Sequence, residues 1–322
     1  MLNKISKLIL NDDQKVFIYF ALGKSFEDQK KYDQAYEYIR QANNAKNSSI
    51  KEDILKKEIL KYRNVKKIFE TIEFKNKNSK SLFQKKIIFV VGLPRSGTTL
   101  VHQLLSSASD TFGFGESIFL SKFFDTKIFD QTFLSRILNK KSIEDEMIKI
   151  SNEIGNKYSS VSSQNVFIDK MPPNFYWIGF IKLIFPNSKI IHISRNIKDN
   201  FLSIYKNLFG TTEMDWSYSE KNIHRFIINY RNTIKFWNQL YKNQIYEIKY
   251  DNLVKNKVEQ TKMLFEFCEL KWDEKIFDFY KNAKTIRTVS INQVKKPIYQ
   301  SSVNSSDNFS KYLKNLNQLK DI

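Results

Sequence analysis

Cysteine is nearly absent from this sequence. Cys268 is the single thiol in 322 residues, so no disulfide can close within the chain, and this usage fits a reducing compartment. Long hydrophobic runs are missing too. The N-terminal "MLNKISKLILNDD" holds an apolar run of only three residues, too short for the core of a signal peptide. The most apolar later segment, "FYWIGFIKLIF" (175–185), is interrupted by Lys182 and is far shorter than a bilayer requires. These absences point to a soluble, cytoplasmic protein without a membrane span. Negative charge is in deficit: 34 acidic against 53 basic residues leave a net charge of +19. Such a field suits a nucleic acid or an anionic lipid. Arginine is scarce, however: 8 of the basic residues are Arg and 45 are Lys, spread along the whole chain. That distribution reads as solvated lysine faces, and no nucleic-acid partner is expected. An anionic small ligand would profit from the field in either case.

Aromatic side chains are plentiful, with 27 Phe and 16 Tyr, enough for a sizeable core. The length suits one large domain, or a domain of about 200–250 residues with an appendage. Residues 16–45 carry Tyr19, Leu22, Gly23 and Phe26, then Ala35, Ile39 and Ala42. This is the spacing of a tetratricopeptide repeat, in which small residues stand where two antiparallel helices touch. One repeat, at about 16–49, cannot bury its own face. The segment 51–72, apolar at helical spacing, is the expected partner. The polar stretch "NKNSKS" (76–81) marks the expected boundary between a helical segment, 1–80, and a second domain, 81–322.

After that boundary the pattern changes. "KIIFVV" (86–91), "NVFIDK" (165–170), "SKIIHIS" (188–194) and "IYEIKY" (245–250) read as strands, and each is followed by a helical pattern. Continuous apolar runs of this kind suit central parallel strands. The alternation predicts an α/β fold with a mostly parallel, P-loop-like sheet flanked by helices. Ligands in such sheets bind beyond the carboxyl ends of the strands.

"IIFVVGLPRSGTTL" (87–100) is the sharpest signal. Gly92 and Gly97 have the spacing of a phosphate-binding loop, followed by a helix whose first amides point at an anion. Thr98 stands where the lysine of the nucleoside-triphosphate loop belongs, and Arg95 sits inside the loop. Loss of that lysine argues against a kinase or ATPase. An arginine with two threonines suits one phosphate-like group carrying a transferable headgroup. Further on, Arg195 follows a strand end and Ser203 lies eight residues later. Two helical turns let both face one point, and together they suit a second phosphate.

Strand, loop and helix together resemble the 5′-phosphosulfate loop of sulfotransferases that use 3′-phosphoadenosine-5′-phosphosulfate (PAPS). The resemblance covers most of 86–312. It is nearest the branch of tyrosylprotein sulfotransferases and bacterial sulfotransferases with tetratricopeptide repeats. It implies that Pro94, Arg95, Ser96, Gly97, Thr98 and Thr99 hold the phosphosulfate. Arg195 and Ser203 match the family's 3′-phosphate motif. Glu116, in "GFGES" after the glycines 113 and 115, stands where the tyrosylprotein enzymes keep a catalytic base, and in-line transfer needs one. Lys170, in "DKMPPN", matches a lysine that stabilises the leaving 5′-phosphate oxygen. Asn174 is a candidate for positioning the acceptor. "TVSINQVKKPIYQSS" (288–302) resembles the family's late segment, which would bring Ser290 to the sulfate and Lys296 to the cofactor. Tyr250 matches a tyrosine at the cofactor.

The histidine base of other branches finds weaker counterparts here. His102 falls inside the helix after the loop and His192 inside a strand, while His224 stays open. Asp169 has the look of a magnesium carboxylate, but the apolar run before it is brief. The expected chemistry is metal-free sulfuryl transfer to an acceptor hydroxyl of a peptide tyrosine, a saccharide or a small metabolite, with possible protein contact through the helical repeat. The alternatives are a P-loop nucleotide kinase or NTPase, and a non-catalytic binding protein that works through the helical repeat.

Overall fold

The structure is a computed structural model that describes residues 11–71, 83–139, 143–281, 296–314 and 316. Four of its strands are the apolar runs named above: Lys86–Gly92 (β1), Val166–Lys170 (β3), Lys189–Ser194 (β4) and Ile245–Lys249 (β5). A fifth, Thr111–Gly115 (β2), was not expected. They form one sheet in the order β2-β3-β1-β4-β5, every pairing parallel. β1 is central and buried on both faces from Ile87 onward, as its unbroken apolar run requires.

Because all the strands run the same way, their carboxyl ends share one edge. Each of those ends carries residues singled out from the sequence. The loop 93–97 follows β1, Glu116 follows β2, Lys170 ends β3, Arg195 follows β4 and Tyr250 follows β5. In register, Lys170 lies beside Val90, and Ile193 beside Gly92.

Several helices depart from expectation. The pattern after β5 is two helices, Tyr250–Lys255 and Lys257–Phe267, broken at Asn256. Asparagine competes with helix by local hydrogen bonding, which weakens it in a helix interior. The proline-led segment is a 3-10 turn, Pro172–Trp177, before the helix Ile178–Ile184. Phe119–Lys127, Gln131–Leu138, Ile143–Val161 and Glu220–Leu240 add helices that had not been singled out. Among the described residues no helix is long and apolar enough to cross a membrane.

The chain divides into two compact units. One contains the sheet and covers Ile59–Asn196 and Ile228–Val303. The other takes the described parts of Met1–Glu58, Ile197–Ile227 and Asn304–Asp321. In that second unit the helices Asp12–Asp28 and Tyr32–Ser48 pack closely at the predicted small residues. A Cβ on Gly23 would lie 2.7 Å from Ile39 Cγ1. Asn11 and Gln14 form a reciprocal cap at the first helix, which satisfies two otherwise open backbone donors. Within this unit the pair packs against later parts of the chain. Tyr36 stacks on Tyr312 and donates to Glu220 at 2.7 Å. Asn43 donates to the Tyr205 carbonyl at 2.8 Å. Asp199 accepts from the backbone amides of Asn304 and Ser306. The boundary expected at 76–81 lies outside the described residues.

Candidate functional site

β1 ends at Gly92, and the helix Thr98–Ser106 begins after the loop 93–97. The amides of Thr98 and Thr99 open that helix, so they have no carbonyl a turn earlier to bond. Gly97 caps it at φ +107, and a Cβ there would come within 2.4 Å of the Tyr250 ring. Glycine is therefore required twice, by conformation and by space. Arg95 also has positive φ, +68, which is uncommon for a residue with a Cβ. Ser96 is buried, and its hydroxyl has no hydrogen-bond partner among the described residues.

Around this loop is a pocket. Its lining includes Arg95, Arg195 and Lys296, the helix start at Thr98 and Thr99, and Tyr250, Tyr299 and Ser302. Among the described residues, three cations line it and no carboxylate does. Burial pushes the Arg95 guanidinium down to about 10, and the charge of Arg195 acts in the same direction. Arg195 lies over the Tyr250 ring at 5.0 Å. It donates to the carbonyls of Arg95 and Ser302, and Tyr250 and Ser302 share a hydroxyl hydrogen bond of 2.7 Å. Like charges brought together under partial burial raise the energy of an empty pocket and favour an anion in it.

The second cluster lies at the ends of β2 and β3. Lys170 is 1% exposed and donates to Glu116 Oε1 at 2.5 Å, while Glu116 is 38% exposed. Burial lowers the Lys170 ammonium, and Glu116 opposes that shift. Asp169, next to Lys170, is turned into the interior. It accepts from Tyr158 and from Asn174 Nδ2. Burial pushes its carboxyl up to about 7, against the hydrogen bonds of Tyr158 and Ser117. Asn174 is wholly buried beside it. The glycines before Glu116 are not a free turn: Gly113 lies within β2, and the pairing with β3 shifts register between Gly113 and Gly115.

The structure thus brings Arg95, Thr98, Thr99, Arg195, Tyr250 and Lys296 to one pocket, and Glu116 to Lys170. Ser203 is buried on the helix Ile197–Tyr205 and belongs to the other unit, as does His224. Pro94 precedes Arg95 in the loop. Ser290 lies outside the described residues. His192 is wholly buried, between Glu247 and Tyr230. Sequence reasoning missed Tyr299 and Ser302 as lining residues. Both stand in the quoted segment 288–302, but Ser302 meets Arg195 through its backbone carbonyl, which no side-chain motif signals.

The parallel sheet thus carries a positively lined loop after its central strand and a carboxylate–lysine pair at the ends of β2 and β3. The family is fixed by comparison: residues 88–274 match the sulfotransferase family, and the chain belongs to it. An uncharacterized protein of Aquifex aeolicus (strain VF5) is 30% identical over 91% of this chain and 40% of its own length. The chain therefore spans well under half of that relative. A putative protein-tyrosine sulfotransferase of Caenorhabditis briggsae is 22% identical, over 61% of this chain and 70% of that one. Among solved structures, the sulfotransferase domain from the curacin biosynthetic pathway shares the fold. Its TM-score is 0.50 at 17% identity, over 72% of this chain and 97% of that one.

Proposed function

We propose that the protein transfers a sulfuryl group from PAPS to an acceptor hydroxyl, and that no metal takes part. The observation that carries this reading is the pocket at the end of β1, lined among the described residues by three cations and no carboxylate. Its chemistry fits a donor with separated phosphate groups. The amides of Thr98 and Thr99, with Pro94, Arg95, Ser96 and Gly97, cradle the phosphosulfate end. Arg195 holds the 3′-phosphate, with Tyr250 and Lys296 on the cofactor's flanks. When bound, PAPS supplies an activated sulfuryl group on a phosphate leaving group.

Glu116 takes the proton of the acceptor hydroxyl. The hydroxyl oxygen bonds to sulfur as the bond from sulfur to the 5′-phosphate oxygen breaks. Lys170 and Arg95 meet the charge that collects on that oxygen, the kind of stabilisation worth roughly 10²–10³ in rate per group. Ser290 contacts the sulfate. The reading assigns transfer to residues 81–322 and a tetratricopeptide-type protein contact to the helical segment 1–80. A peptide tyrosine, a saccharide or a small metabolite all present the required hydroxyl, and the positive field favours acidic ones.

Thermal-shift titration tests the reading. 3′-Phosphoadenosine-5′-phosphate should raise Tm more than ATP with magnesium does. The reverse preference would support a nucleotide kinase or NTPase instead. Binding of either ligand without turnover of PAPS over an acceptor panel would indicate a binding protein.

A further inference from the structure

His102 has no part in the chemistry above, yet it is buried and sits between the two clusters. It lies on the helix Thr98–Ser106, one turn after Thr98 and on the same face. Its Nε2 accepts the backbone N–H of Gly115 at 3.0 Å, and Gly115 is the residue before Glu116. The Ser106 hydroxyl reaches the same nitrogen at 3.4 Å, and the Gln103 amide reaches Nδ1 at 3.3 Å. Gly113 is fitted to this arrangement: a Cβ there would lie 2.8 Å from Nε2 and 2.3 Å from Ser106 Oγ. The contact falls at the register shift between Gly113 and Gly115, where the strand is least held by its neighbour. Burial, with the Lys170 charge adding to it, pushes the imidazole down to about 3. The ring is therefore neutral near pH 7, and accepting at Nε2 places its one proton on Nδ1, which Gln103 accepts with its amide turned so that its Oε1 rather than its Nε2 faces the ring.

We propose that His102 is a positioning residue: its Nε2 pins the Gly115 amide and so fixes the Glu116 carboxylate relative to the donor loop. The same short helix begins at the donor-binding threonines and ends its first turn at the pin. Donor site and base then share one rigid part. The proposal rests on the reading of Glu116 as the base.

The test uses the full chain, with His102→Leu, His102→Gln and Glu116→Gln alongside the wild type. Sulfur-labelled PAPS with a source-cell lysate reports transfer, and calorimetry with 3′-phosphoadenosine-5′-phosphate reports the donor site. His102→Leu should lower kcat by about 10–100-fold, the scale of a small misplacement of a reacting group, with donor affinity unchanged. His102→Gln keeps an acceptor near the Nε2 position and should recover most of the rate. Nitrogen NMR of the wild type should show a neutral ring protonated at Nδ1. The proposal is overturned if folded His102→Leu keeps the wild-type kcat. It is also overturned if His102→Gln is no faster than His102→Leu, or if the proton sits on Nε2. Should His102→Leu fail to fold, the glutamine variant and the tautomer decide. Full transfer by Glu116→Gln, or none by the wild type, identifies failure of the underlying reading, and the proposal falls with it.

Discussion

The two ends of the site differ in how their charges are balanced. At the end of β1, Arg95, Arg195 and Lys296 face one pocket with no carboxylate in its lining among the described residues. At the ends of β2 and β3, one cation meets one anion, Lys170 with Glu116 at 2.5 Å. An unbalanced pocket gains energy when an anion enters, so it is built to bind. A balanced pair gains little from an added charge and is suited to moving a proton within a fixed geometry. Substitutions at the first end should therefore show in donor affinity, and those at the second in kcat. This split is measurable, because losing a group used only in the transition state lowers kcat without weakening ground-state binding.

The largest effect is expected at the balanced end. Glu116→Gln should reduce kcat by roughly 10²–10⁴, the range for loss of a general base, while 3′-phosphoadenosine-5′-phosphate binds as before. Equal loss of donor affinity would erase the distinction between the two ends. Next comes the unbalanced end. Arg195→Ala should weaken binding of the same nucleotide by about 10–100-fold, as expected for hydrogen bonds from a charged group worth about 1.5–3 kcal/mol. Isothermal titration reads this directly. The loss should shrink at high salt, since part of it is long-range attraction. Gly97→Ala should also weaken the nucleotide, because the added Cβ meets the Tyr250 ring and φ is +107.

A smaller effect sharpens the comparison from beneath. Asp169 has its carboxyl raised from 3.8 to about 7 by burial. Its folded state holds a proton that the unfolded chain has already lost between those values. Its contribution therefore falls as pH rises from about 4 to 7. His102 works in the opposite direction. It is lowered from 6.5 to about 3, so the unfolded chain takes up its proton first, and stability is lost as pH falls below 6.5. Asp169→Asn should gain stability over the wild type as pH rises from 4 to 8, read as the difference in Tm. A constant difference across that range would mean that Asp169 does not titrate between its two states.

Much of the fold was legible because burial on both faces leaves a mark. β1, β3 and β4 are short buried runs, while β5 is an edge strand with only Ile248 buried and showed through its alternation with helices. β2 was hidden because "TFGFG" is short, half-exposed and contains two glycines, which weakens any strand signal. The loop and Lys170 could be named in advance because they follow or end legible strands, whereas Glu116 was named through the resemblance of "GFGES". The pin at Gly115 and the latch at Ser302 could not, because each uses a backbone group that every residue except proline possesses. The contacts of the N-terminal helix pair with Tyr205, Glu220 and Tyr312 were not foreseen for another reason. Helical periodicity shows that a face must be covered, but it does not say which distant segment covers it.

The account's central claim is that an anion pocket and a carboxylate base together move a sulfuryl group from PAPS. Incubating sulfur-labelled PAPS and source-cell lysate with either the wild type or Glu116→Gln tests it most directly. The account predicts labelled product with the wild type and almost none with the variant, at equal nucleotide affinity. Equal labelling by both, or no PAPS-dependent labelling by the wild type, would contradict it.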